Sequence, residues 1–106
     1  MEIVESFPYD RYTVNIVRGL FGLSCAQTDG QESIYVDEEF WKLLTPEEKE
    51  AVLKHESKEL DLIRKGYFPP IAHILVVREE TPETRRTLRR KCGKAHREKR
   101  KKRLEF

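Results

Sequence analysis

Thr45-Pro46-Glu47-Glu48-Lys49-Glu50-Ala51-Val52-Leu53-Lys54-His55-Glu56-Ser57-Lys58-Glu59-Leu60 carries the strongest local signals in this chain. Thr45 suits an N-cap, Pro46 the first helical position, and Glu48 the third position of a capping box. Glu47 and Glu48 meet the positive end of the helix dipole. Apolar residues recur at helical spacing up to Ile63, and Arg64, Lys65 and Gly66 supply the stop. The pattern predicts a helix from Pro46 to about Lys65. At 3.6 residues per turn it sets His55 and Glu59 on one face, one turn apart, with Glu56 beside them.

Two donors at i and i+4 on a helix fix most of a metal site's geometry. The spacing is that of His-Glu-x-x-His with Glu59 in place of the second histidine. A catalytic zinc takes three protein ligands and keeps a fourth position for water. The third donor would be His73, in Tyr67-Phe68-Pro69-Pro70-Ile71-Ala72-His73, where the prolines turn the chain back. Ile71 to Val77 can be read as a helix or as a β-prone strand. The helix is preferred, because a short connection between helices returns His73 toward the first. His55, Glu59 and His73 are thus the expected metal ligands, and Glu56 the expected general base. The bland alternatives are a solvated helix face for His-Glu-x-x-Glu and a packed core residue for His73.

The segment from Ser33-Ile34-Tyr35-Val36 through Leu43-Leu44-Thr45-Pro46 to Ala51-Val52-Leu53-Lys54-His55-Glu56 resembles the core of gluzincin metallopeptidases, above all the small minigluzincins. The resemblance covers about a quarter of the chain. It implies a strand over a cleft, a turn, and a helix carrying ligands and base. It implies His55 as first ligand, Glu56 as base, His73 as third ligand, zinc as cofactor, and a peptide or protein substrate for a metallopeptidase-type hydrolase. Glu59 departs from the family pattern, which puts the peptidase activity itself in question.

The rest of the chain frames this segment. Tyr12 to Val17 and Ser33 to Asp37 read as strands, Leu20 to Ala26 as a weaker one, and Thr28-Asp29-Gly30-Gln31 as a turn. Residues 1–10 read as an extended lead-in. A helical turn is expected around Phe40, Leu43 and Leu44, and a further helix from Thr81-Pro82-Glu83 into the C-terminal part. The expected fold is α+β: a small antiparallel sheet packed on the His55 helix and C-terminal helices.

Charge divides the chain in two. Residues 1–84 hold 9 Lys+Arg against 17 Asp+Glu, a net of −8; residues 85–106 hold 12 against 2, a net of +10. An acidic body, 1–84, is therefore expected to carry a basic helical tail, 85–106. Arg85, Arg86, Arg89, Arg90, Lys91, Arg97, Arg100, Lys101, Lys102 and Arg103 could neutralise phosphates, making a small nucleic-acid-binding protein the alternative function. Without interleaved aromatics, base stacking is not expected. Equally, the tail could dock on the acidic body, its own or a neighbour's in an oligomer, and a purely structural or regulatory interaction module is a third reading.

No apolar run approaches a membrane span, and Met1-Glu2-Ile3-Val4-Glu5 lacks a signal-peptide pattern, so the expectation is a cytoplasmic protein without membrane contact. Cys25 and Cys92 are too few for a disulfide framework and read as free thiols. Cys92-x3-His96 is poor zinc spacing and reads as incidental.

Overall fold

In the computed structural model, which describes residues 1–20 and 24–104, the chain begins with a hairpin. Strand β1 (Glu2–Tyr9) pairs antiparallel with β2 (Tyr12–Arg18) across the two-residue turn Asp10-Arg11. Asp10 takes φ 54°, a left-handed conformation that aspartate tolerates better than most residues. The extended lead-in is thus a full strand. Its side chains are mostly exposed, so it lacks the apolar alternation that marks a half-buried strand.

Strand β3 (Ala26–Thr28) and β4 (Ser33–Asp37) form the second hairpin. The Asp29 carboxylate accepts backbone N–H bonds from Gln31, Glu32 and Ser33 at 2.8, 3.0 and 3.0 Å, closing the expected turn. Of the strand expected over Leu20–Ala26, residues 21–23 lie outside the described residues, and Ala26 opens β3. The sheet order is β1-β2-β4-β3, with β4 parallel to β2. The α+β class holds, and the sheet is mixed where an antiparallel one is expected. Strand direction was not legible, because the hydrophobic pattern of β4 is served equally by a neighbour running either way.

Helix α1 (Glu38–Lys42) follows at once, capped by the Asp37 carboxylate on the Phe40 N–H at 3.1 Å. Helix α2 (Pro46–Arg64) starts with the full capping box. The Thr45 hydroxyl accepts from the Glu48 N–H at 3.2 Å, and the Glu48 carboxylate from the Thr45 N–H at 2.8 Å. Helix α3 (Pro69–Val77) is the expected short helix, and α4 (Pro82–Leu104) runs through the basic segment. Tyr12, Val14, Ile16, Ile34, Val36, Phe40, Val52, Leu53 and Leu60 make one core between sheet and α2, and α4 joins it through the fully buried Ala95. No described helix is long and apolar enough to cross a membrane.

Candidate metal centre

Helix α2 buries Val52, Leu53, Glu56 and Leu60 and turns His55 and Glu59 toward α3. Gly66, at φ 105°, lets the chain leave α2 abruptly. Pro69 and Pro70 restart it as α3, whose buried Ala72 and Val76 pack it back on the body. The two helices thus bring three sequence-distant donors together. His55 Nε2 lies 3.0 Å from Glu59 Oε1, and His73 Nδ1 contacts that same oxygen. The imidazole rings meet edge-on, centroids 5.3 Å apart. One donor atom from each of His55, Glu59 and His73 falls within 4.8 Å of the others. Tetrahedral zinc with bonds of about 2.0–2.2 Å sets its donors roughly 3.4 Å apart, so small side-chain adjustments suffice.

A fourth residue, absent from the sequence reading, completes the arrangement. Glu80, in the turn after α3, contacts His55 Nδ1. A carboxylate on one imidazole nitrogen takes its N–H and leaves the other nitrogen's lone pair for a cation, the usual support of a metal-binding histidine. For His55 that other nitrogen, Nε2, faces Glu59. No helical period could have announced it, because α3 ends at Val77 and Glu80 lies in the turn beyond it.

The two acids on α2 are driven in opposite directions. Burial pushes the Glu59 carboxyl up, but the His55 and His73 imidazoles outweigh it and hold it below the ordinary value. Glu56, only 7% exposed, is pushed up to about 8 by burial and then by the negative charge of Glu59. Divergent environments for neighbouring carboxyls are the usual route to separate ligand and base roles.

His55, Glu56, His73 and Glu80 line a cleft of about 510 Å³. Cys25, Cys92 and His96 line the same cleft, and Arg85, Leu88 and Arg89 of α4 also border it. Read from the sequence alone, Cys25 and Cys92 are free thiols; in the fold they are joined in a disulfide across 67 residues. The packing of α4 brings their Cα atoms to 5.9 Å, inside the range a disulfide requires. His96 stands beside this bond: its Nε2 lies 3.8 Å from Cys25 Sγ and 3.6 Å from Cys92 Sγ.

The basic helix divides its cations between two faces. Lys91 pairs with Glu48, Lys99 with Asp37 at 2.9 Å, and Lys102 with Glu39, so one face docks on the acidic body. Arg86, Arg89, Arg90, Arg97, Arg100 and Lys101 are exposed, and Arg85 is half-buried at the cleft. The Arg103 side chain lies outside the described residues.

A scan against protein-family models matches none, and searches of curated proteins and of solved structures find no significant match.

Proposed function

We propose that this chain is a zinc-binding, minigluzincin-like metalloprotein that hydrolyses peptide bonds in the cleft between α2 and α4. The observation that carries this reading is the convergence of His55 Nε2, Glu59 Oε1 and His73 Nδ1, with Glu80 on the far nitrogen of His55. Two imidazoles and one carboxylate are a donor set suited to zinc, and Glu59 and His73 together supply what the two-histidine helix motif and its third ligand divide the other way.

A zinc ion held there would polarise a carbonyl as a Lewis acid and lower the pKa of water. Glu80 holds the proton at His55 Nδ1 and so directs Nε2 toward the cation. Glu56 lines the same cleft; once deprotonated, above the value of about 8 to which burial pushes it, its carboxylate takes a proton from water and then returns it to the leaving amine. Strand β3 is an outer strand of the sheet and its Ala26 borders the cleft, so its backbone can hold an extended peptide by strand addition. Arg85 and Arg89 give that cleft a cationic border suited to acidic side chains.

The test pairs metal content with hydrolysis. Protein purified without chelator is expected to carry one zinc per chain, and His55→Ala, Glu59→Ala or His73→Ala to lose it. Glu56→Gln is expected to keep the zinc and lose on the order of 10²–10⁴-fold in peptide hydrolysis, the usual worth of a positioned general base. Absence of bound zinc from the unaltered chain, or zinc content indifferent to all three alanines, would remove this reading.

The exposed arginines of α4 favour a second reading, salt-dependent binding to nucleic acid. It predicts that Arg86→Ala/Arg90→Ala/Arg97→Ala weakens binding to mixed RNA and flattens its salt dependence, with zinc content unchanged.

A further inference from the structure

We propose that Cys25, Cys92 and His96 form a second, soft metal site, closed while the two sulfurs are joined and opened to zinc once a dithiol reductant cleaves the bond. Cys92 and His96 stand one turn apart on α4, the same i, i+4 relation that sets His55 and Glu59 on α2. Cys25, just before β3, brings the third donor from another element. One donor atom from each of the three lies within 4.8 Å of the others, and all three residues border the cleft. Two thiolates and an imidazole select a thiophilic cation, and three donors leave a fourth position for a water or a cleft-borne ligand.

The covalent step balances. A dithiol gives two electrons to the Cys25–Cys92 bond, which breaks; the reductant closes into its own disulfide and two protein thiols remain. Each thiol then loses its proton to solvent as its sulfur takes the cation. Tetrahedral zinc with bonds of about 2.3 Å asks the two sulfurs to stand roughly 3.8 Å apart, so they must separate by less than the width of an atom. The scaffold outlasts the bond, because α4 is also held by buried Ala95 and by the Lys91–Glu48 and Lys99–Asp37 pairs. The His96 ring is already beside both sulfurs and needs no approach of its own. This site shares no donor with His55, Glu59 and His73, so it stands whether or not the hydrolase reading does.

The test uses cobalt(II), whose bond to thiolate gives a charge-transfer absorption that its bonds to nitrogen and oxygen do not. His55→Ala/His73→Ala removes the first site. In that background, protein reduced with a dithiol and desalted without air is expected to bind one equivalent of cobalt with the thiolate absorption, displaced by zinc. Oxidised protein is expected to show none. Cys25→Ser should abolish the signal, and His96→Ala, which keeps both thiols, should weaken binding at least tenfold. If the double-alanine background does not fold, the unaltered chain serves, with one more thiolate-bound equivalent reduced than oxidised. The proposal is overturned by a reduced chain without the absorption, by a signal that survives Cys25→Ser, by equal binding before and after reduction, or by loss of helical circular dichroism that cobalt does not restore.

Discussion

Two donor groups, each with a pair one helical turn apart and a third residue from a neighbouring element, stand at the cleft. One is His55 and Glu59 with His73; the other is Cys92 and His96 with Cys25, and all of these but Glu59 border the cleft itself. The plan is shared and the chemistry is not. The α2 set offers nitrogen and oxygen, with Glu80 holding the far side of one imidazole. The α4 set offers sulfur, and its two sulfurs are spent on each other. Under the proposals above, similar helix geometry gives one set whose donors are open to a cation and another whose sulfurs must first accept two electrons. Donor type, rather than spacing, separates them.

The largest effect expected from breaking this comparison lies on the sulfur side. Cys25→Ala/Cys92→Ala opens a loop of 67 residues and should lower unfolding stability by roughly 2–4 kcal/mol, measured by urea denaturation. The His73→Ala variant should lose far less, because the His73 side chain is 59% exposed. Equal losses would mean that both clusters are structural to the same degree.

A smaller effect sharpens the role of Glu80. Glu80→Gln retains shape and a hydrogen-bonding oxygen but not the charge, so zinc affinity should fall about 10–100-fold in a competition titration. Binding of cobalt at Cys25, Cys92 and His96 should stay unchanged. An affinity indifferent to Glu80→Gln would leave His55 to be oriented by packing alone.

The smallest effect concerns one of the contacts that hold α4 to the body, that of Lys91 on α4 with Glu48 on α2. The Lys91 ammonium, then the Thr45 N–H, hold the Glu48 carboxyl below its ordinary value. A carboxyl depressed in the fold stabilises it above the unfolded pKa and loses that contribution as pH falls through the folded one. Glu48→Gln should therefore lower the melting temperature at about pH 7, with the gap closing in acid as pH falls through the lowered Glu48 pKa. A gap that persists in acid would assign the loss to the capping box instead.

Local signals in the sequence reached a good part of this. The capping box at Thr45, the stop at Gly66 and the prolines before α3 are each decided within a few residues, by hydrogen bonds the chain makes with its near neighbours. Helical period then puts His55 and Glu59 on one face, and the short connection to α3 returns His73 to them. Those features follow from the sequence by itself. What needed the tertiary structure is of another kind. The parallel pairing of β2 with β4, the Cys25–Cys92 bond, the approach of His96, and the contact of Glu80 with His55 each join residues at least 20 positions apart or depend on such a join. Helix periodicity says which way a side chain points from its own axis. Only the packing of α3 and α4 against the sheet and α2 decides what stands opposite it, because burial of the whole apolar core, rather than any local hydrogen bond, selects that packing.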